Sequence, residues 1–200
     1  MTKWITLGVV VLLVFVLGVT SCASYNGLVS KSQAVDAQWG QVQTVYQRRL
    51  DLIPNLVATV AGSANFEKST LEAVTNARAS VGKVSMPASA PDDPAKLAEF
   101  QQAQAAVSSS LSRLLVVAEN YPALKSTDGF RQLQAQLEGS ENRISVEREK
   151  FNDAVRAYNT SVHSFPSMFF ASWFGFHDKP YFSADAAAQS APAVKFDFGK

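Results

Sequence analysis

One helical stripe, in residues 35–60, constrains the fold of this chain more than any other feature. Large or apolar side chains recur there in alternating steps of four and three, and Arg49 fills one place in the series. The positions are Val35, Trp39, Val42, Tyr46, Arg49, Ile53, Leu56 and Val60. That spacing predicts one amphipathic helix whose apolar face packs against other helices.

Pro54 lies inside this stripe without changing its phase. A proline in a helix interior removes a backbone donor and crowds the carbonyl four residues earlier, at a cost of about 3 kcal/mol. We predict a continuous helix that is kinked at Pro54, with Asp51 or Asn55 satisfying the groups that the kink frees. The alternative is a new helix that has Asp51 as its N-cap and Pro54 in its first turn.

Three further stretches have helical spacing, over about residues 67–81, 94–121 and 126–162. Residues 82–94 hold three prolines among small residues, which predicts an exposed connection. Long helices bury their stripes only against one another. The predicted fold class is therefore all-α: an elongated up-and-down four-helix bundle over residues 24–163, after an N-terminal membrane segment.

The C-terminal part of the chain changes character. Residues 164–183 are rich in aromatic side chains, mainly Phe, and we interpret them as an aromatic strap packed on the bundle. The alternative is an interfacial membrane element or a partner site, because large exposed apolar patches are typical of such contacts. Residues 184–200, with alanines and small polar residues, are predicted to form a flexible tail.

Residues 1–23 are predicted to meet a membrane, because Lys3 is followed by a long apolar stretch and no further charge precedes Lys31. The dense apolar part is about 15 residues, short of the ~20 of a spanning helix, which favours a signal peptide; neutral flanking residues extend it toward a spanning length. Both interpretations place the amino terminus on the cytoplasmic side and the bulk of the chain on the other side.

Cys22 is the single cysteine of the chain, so no intramolecular disulfide can form. The run Val19-Thr20-Ser21-Cys22 resembles a bacterial lipobox, which predicts that Cys22 is lipidated. The alternative is an ordinary thiol at the end of a membrane anchor. The two anchors differ in whether residues 1–21 stay on the protein.

Charge and residue chemistry argue against several function classes. The 18 basic and 17 acidic residues nearly cancel, so no basic field for nucleic acid is expected. His163 and His177 are the two histidines, and neither has a cysteine or paired carboxylates at ligand spacing. Because no nucleophile elbow, phosphate loop or metal motif is present, we predict a non-enzymatic protein without a cofactor or metal.

Two polar clusters are predicted to face each other across the bundle. The first contains Arg48, Arg49, Asp51 and Asn55, and the second contains Glu138, Glu141, Asn142, Arg143, Arg148 and Asn152. Because Arg49 takes a buried position, we expect a carboxylate from another helix to pair with it and to set the helix register. The plainer interpretation of the clusters is a solvated helix face with local ion pairs of about 0.3–0.5 kcal/mol each.

Seven motifs in order make residues 25–182 resemble the bacterial LemA family. They are YQRRLDLIPNLV at 46–57, LEAVTNARA at 71–79, AENYPALK at 118–125, LEGSENRI at 137–144, YNT at 158–160, FGF at 174–176 and KPYF at 179–182. The resemblance implies a membrane-anchored, extended helical bundle with a poorly defined biochemical role. Relatives generally carry a single N-terminal membrane segment, so the lipobox-like run before Cys22 departs from their pattern.

Together these features predict a membrane-tethered, non-enzymatic helical scaffold or interaction protein of the bacterial cell envelope. Its expected partners are other membrane or envelope proteins. The alternative function is a membrane-surface or lipid-binding module that uses the aromatic C-terminal segment.

Overall fold

The computed structural model describes residues 2–63, 66–84 and 89–183, and within these ranges the chain is helical without any strand. The helices are α1 Thr2–Ala61, α2 Lys68–Val81, α3 Pro94–Ala118, α4 Pro122–Lys125, α5 Asp128–His163 and α6 Ser167–Phe174. The predicted all-α fold class is confirmed. The predicted tail, residues 184–200, lies outside the described residues.

Helix α1 is one 60-residue helix that continues through Pro54, about 90 Å long at 1.5 Å per residue. The prediction of a continuous helix is confirmed, and the kink at Pro54 stays a prediction. The alternative with Asp51 as an N-cap is wrong, because Asp51 lies in the helix interior with helical turns on both sides. All eight positions of the predicted stripe are buried, together with Leu28.

Capping side chains define where two of the other long helices begin. The carboxylate of Asp93 accepts from the backbone N–H of Ala95 at 2.8 Å at the start of α3. The hydroxyl of Thr127 accepts from the backbone N–H of Phe130 at 3.4 Å at the start of α5. These bonds satisfy donors that the first helical turn leaves free.

Two short helices add to the four that the sequence predicts. Helix α4 follows Tyr121 and contributes the buried Leu124, and α6 lies within the predicted aromatic strap. Four residues are too few to show a helical period, and the eight residues of α6 are apolar on nearly every side, so their sequences carry no usable stripe.

Helix α1 packs along α5, α2 packs against α3, and α1 also contacts α2 and α6. Two core clusters result, one on each side of Arg49 along α1. The cluster nearer the N-terminus is aromatic: the Trp39 ring lies 5.5 Å from Phe100 and 5.7 Å from Phe151. The other cluster is mainly aliphatic and includes Leu56 and Leu114.

Gly175 turns the chain out of α6. Its φ of 77° lies in the left-handed region, which glycine adopts without a Cβ penalty. The Phe176 N–H donates to the Ala171 carbonyl at 2.9 Å and closes the helix end. The residues that follow, 176–183, are called the extended segment below, and they run back along α5.

Candidate functional site

Arg49 lies at the meeting point of three helices, with 1% of its side chain exposed. Its guanidinium donates to the Glu141 carboxylate on α5 at 2.6 Å and to the Ser108 hydroxyl on α3 at 2.7 Å. It also donates to the backbone carbonyl of Gln104 at 3.3 Å and to the Gln104 side-chain oxygen. This set, called the Arg49 network below, couples α1 to both α3 and α5.

The Arg49 network contains a charge pair with unequal burial. Glu141 keeps 45% of its side chain exposed, so water still solvates part of the carboxylate while the arginine is enclosed. The Arg49 Nε atom is buried and has no acceptor among the described residues, which reduces the net stabilisation. Removal of one partner of such a pair is costly, because it leaves a buried charge without compensation.

The other residues of the two predicted polar clusters do not join this network. Arg48, Asp51, Asn55, Glu138, Asn142 and Arg143 are exposed. Asp51 accepts from Gln47 at 2.7 Å and Glu138 from Gln134 at 3.1 Å, both within one helix. The clusters therefore meet through Arg49 and Glu141, and these exposed members follow the plainer interpretation of solvated helix faces.

The backbone carbonyl that Pro54 leaves without a donor is bonded by Arg78, a partner that was not predicted. The proline lacks an N–H, so the Leu50 carbonyl has no helical donor. The Arg78 Nε atom on α2 donates to that carbonyl at 3.2 Å. Asp51 and Asn55, which we expected to satisfy the freed groups, are turned to solvent.

A second buried charge ties the extended segment to the other end of the core. Lys179 is 7% exposed, and its Nζ lies 2.6 Å from the Asp92 carboxylate and 3.9 Å from that of Asp36. Asp36, on α1, also accepts from the Ala90 N–H at 3.0 Å. The lysine therefore joins α1, the connection before α3 and the extended segment.

Two asparagines seven residues apart on α5 hold the extended segment by paired hydrogen bonds. The Asn159 amide donates to the Lys179 carbonyl and accepts from the Lys179 N–H, both at 2.9 Å. Asn152 makes the same pair with Phe182, at 3.1 and 2.9 Å. Nearer the start of α5, Arg148 donates to the Ser183 carbonyl at 2.7 Å. These hydrogen bonds satisfy backbone N–H and C=O groups that an extended segment outside a sheet leaves unpaired.

Tyr158 belongs to the same contact. Its hydroxyl donates to the His177 carbonyl at 3.0 Å, and Lys179 Nζ lies 5.8 Å from its ring centre. Burial raises the pKa of the Tyr158 phenol above its ordinary value, and the nearby carboxylates of Asp92, Asp178 and Asp36 raise it further. The protonated phenol is thus the form that the fold favours.

A groove with a volume of about 390 Å³ lies beside the Arg49 network. Its described lining is mostly apolar and includes Tyr46, Leu50, Val81 and Phe100, with Arg78 as the charged member. No nucleophile with an adjacent base is among these lining residues. Across the described ranges, no group of three or more His, Cys, Asp or Glu side chains is placed to hold a metal ion.

Two exposed apolar regions lie at one end of the molecule. Helix α1 is long and apolar enough near its N-terminus to cross a membrane, and none of the residues in its most apolar stretch is buried. Cys22 is exposed just after it. Helix α6 lies beside that end of α1, and the ring of its Phe174 is 5.0 Å from the ring of Tyr25 on α1.

A profile of the LemA family matches residues 38–196. The chain belongs to the LemA family. Similar proteins include magnetosome proteins MamQ 1 and MamQ 2 of Paramagnetospirillum magneticum strain AMB-1, each 26% identical over 182 residues. Magnetosome protein MamQ of Magnetospirillum gryphiswaldense strain MSR-1 is 25% identical. Each match covers 83% of this chain and 67% of the relative.

The LemA-like motifs of this chain supply the side chains that join its elements. The motif at 46–57 provides Arg49 and Pro54, the motif at 71–79 provides Arg78, and the motif at 137–144 provides Glu141. The motifs at 158–160 and 179–182 provide Asn159 and Lys179. In this LemA protein, five of the seven motifs therefore supply residues that join its helices and its extended segment.

Sequence reasoning missed several residues of these networks. Gln104 occupies a predicted place in the apolar stripe of α3, as Arg49 does in α1, but that position did not indicate Arg49 as its partner. Lys179 and Asp36 lacked any such signal, because an extended segment has no helical period and Asp36 reads as an ordinary polar position.

Proposed function

We propose that this LemA-family protein is a non-enzymatic, membrane-tethered helical scaffold of the bacterial cell envelope. Its long helices are proposed to form an elongated up-and-down four-helix bundle that engages other membrane or envelope proteins. Residues 1–23 would be the membrane segment, and the bulk of the chain would lie on the non-cytoplasmic side.

One observation carries the proposal: a single helix holds both the exposed apolar stretch and the buried stripe. Residues 4–19 of α1 are exposed, whereas Leu28 and the eight stripe positions of the same helix are buried. Because no loop interrupts α1, the membrane segment and the packed helices would move as one stiff unit. This is an arrangement suited to presenting a surface at a set distance from a bilayer.

The comparisons agree with this kind of role. The MamQ relatives are named for the magnetosome and not for a reaction. The described polar networks of this chain are used in contacts between its own elements, and the groove beside Arg49 offers apolar walls with one charge. These features fit protein contact better than bond-making chemistry.

Site-specific photocrosslinking in native membranes tests the proposal. A photoreactive side chain at the exposed Val116 or Val146 should capture discrete envelope or membrane proteins, whereas the same group at the buried Val42 should capture none. A reporter active only outside the cytoplasm, fused after residue 200, should be active. Turnover of a hydrolase substrate that one substitution abolishes would overturn the scaffold function, as would an absence of captured proteins across all exposed positions.

A further inference from the structure

Helix α6 presents an uncovered row of large apolar side chains. Together with Phe165, just before the helix, the side chains Met168, Phe169 and Trp173 form what is called the aromatic face of α6 below, and Phe165 and Trp173 are 80% and 82% exposed. Phe169 and Trp173 are four residues apart in α6, a spacing that places them on one side of the helix. The ring of Phe165, which precedes the helix, lies 6.1 Å from that of Phe169. On the other side, Ala171 is buried in the core cluster that contains Leu28.

The position of the aromatic face relative to α1 indicates what covers it. The Tyr25 ring lies 5.0 Å from Phe174 and 5.8 Å from Phe176, so α6 sits at the level of residue 25 of α1. Residues 4–30 carry no charge. At 1.5 Å per residue this stretch is about 40 Å long, close to the thickness of a bilayer with its headgroups.

Residue 25 is about 32 Å along that stretch, so it then falls near the boundary between the hydrocarbon core and the far headgroup region. Lys3 and Trp4 stand at its beginning, and Tyr25 with the α6 aromatics stands near its end. Trp and Tyr are enriched at both membrane–water interfaces, because their rings suit a layer between hydrocarbon and water. The sequence of α6, SMFFASWF, has no charged side chain that would have to lose its hydration.

We propose that the aromatic face of α6 lies in the phospholipid headgroup region of the leaflet from which α1 emerges. The proposal rests on the membrane tethering proposed above and adds a second attachment beside it. It holds for either anchor, because Cys22 is only three residues before Tyr25 and attached lipid would bring the bilayer to the same end. Two attachments fix how the helical body tilts on the membrane.

Tryptophan quenching in the full chain tests this contact. The chain has three tryptophans, and Trp39 is fully buried, so Trp4→Phe leaves Trp173 as the exposed reporter. The variant is reconstituted in phosphatidylcholine–phosphatidylglycerol vesicles whose lipids carry bromine at shallow or deep acyl positions. We expect loss of Trp173 emission, larger for shallow than for deep bromines. The variant that also carries Trp173→Phe reports the emission of Trp39 alone, which should be unchanged.

Two further variants separate a specific contact from general stickiness. Phe165→Ser with Phe169→Ser should weaken the quenching of Trp173, and these exposed positions can change without opening the core. Val116→Ser, at an exposed apolar side chain on α3, should leave the quenching unchanged.

The outcomes distinguish this inference from the function on which it rests. If the chain resists alkaline extraction from the vesicles but Trp173 is not quenched, the headgroup contact is wrong and the tether stands. If alkali extracts the chain, both proposals fail. Capture of a protein instead of lipid by a photoreactive group at position 173 in native membranes would also overturn the lipid contact.

Discussion

The Nε atom of Arg78 donates at 3.2 Å to the carbonyl oxygen of Leu50, the one carbonyl that Pro54 deprives of its helical donor. The proline is thus matched by a residue 24 positions later in the chain, on a different helix. The carbonyl that lacks a donor within α1 is therefore used in a hydrogen bond between α1 and α2. The pairing replaces the hydrogen bond that Pro54 removes from the interior of the 60-residue helix.

Arg78→Ala should lower the free energy of unfolding by about 0.5–1.5 kcal/mol, the usual contribution of one hydrogen bond. In a Pro54→Ala background, residue 54 regains its N–H and serves the Leu50 carbonyl, so Arg78→Ala should cost close to nothing. Urea unfolding of the four proteins in this cycle measures the coupling. An equal cost of Arg78→Ala in both backgrounds would show that Arg78 does not act through Pro54.

Glu141→Gln should destabilise the chain by about 1–3 kcal/mol, because Arg49 is enclosed and would lose its carboxylate partner. The matched control is Glu138→Gln, at an exposed residue bonded within α5 to Gln134, which should stay within about 0.5 kcal/mol. Urea midpoints at one pH compare the two. Equal effects of the two substitutions would refute the role assigned to the Arg49 network.

Asn159→Ala should release the extended segment, because it removes both hydrogen bonds to the backbone of Lys179. Hydrogen exchange of the Lys179 amide should accelerate on the order of tenfold or more. Asn152→Ala should act mainly on the Phe182 amide, which Asn152 holds at 2.9 Å. Asn142→Ala, at an exposed position on the same helix, serves as the control. Unchanged exchange at both amides would show that the hydrogen bonds of the two asparagines do not hold the extended segment in place.

Ionisation of Tyr158 should lower the free energy of unfolding of the protein at alkaline pH. The folded-state pKa of its phenol is raised above the ordinary 10.0, mainly by burial. This stabilising contribution is fully present below about pH 10 and is lost as pH rises through the folded-state pKa. Stability measured from pH 8 to 11.5 should fall less steeply for Tyr158→Phe than for the native chain. Tyr181→Phe, at an exposed tyrosine, should leave the slope unchanged.

Cys22→Ser distinguishes the two anchors. If Cys22 is lipidated, the substitution should block processing, retain residues 1–21 and abolish labelling by fatty-acid analogues. Intact mass measures the retained leader. Membrane fractionation does not discriminate, since the uncleaved segment still holds the chain. A native mass that includes residues 1–21 with an unmodified Cys22 would rule out lipidation and favour the spanning anchor.

How much of the fold was predictable can be seen in α1 and in Arg49. The stripe predicted the buried face of α1 residue for residue, since a helix repeats every 3.6 residues whatever packs against it. The same reasoning required a carboxylate for Arg49, and Glu141 supplies it. It did not predict Gln104 and Ser108 as further partners, because their approach depends on how α3 is rotated and shifted along α1.

By itself, the sequence determined the all-α class, the buried face of α1, the need to pair Arg49, the apolar N-terminal stretch and the LemA membership. Each of these follows from local periodicity, composition or motif order. Only the tertiary structure decided that Arg78 serves Leu50, that Lys179 meets Asp92, and that α6 lies beside Tyr25. Such partners are set by the relative register of elements far apart in the chain, and helical period contains no information about that register.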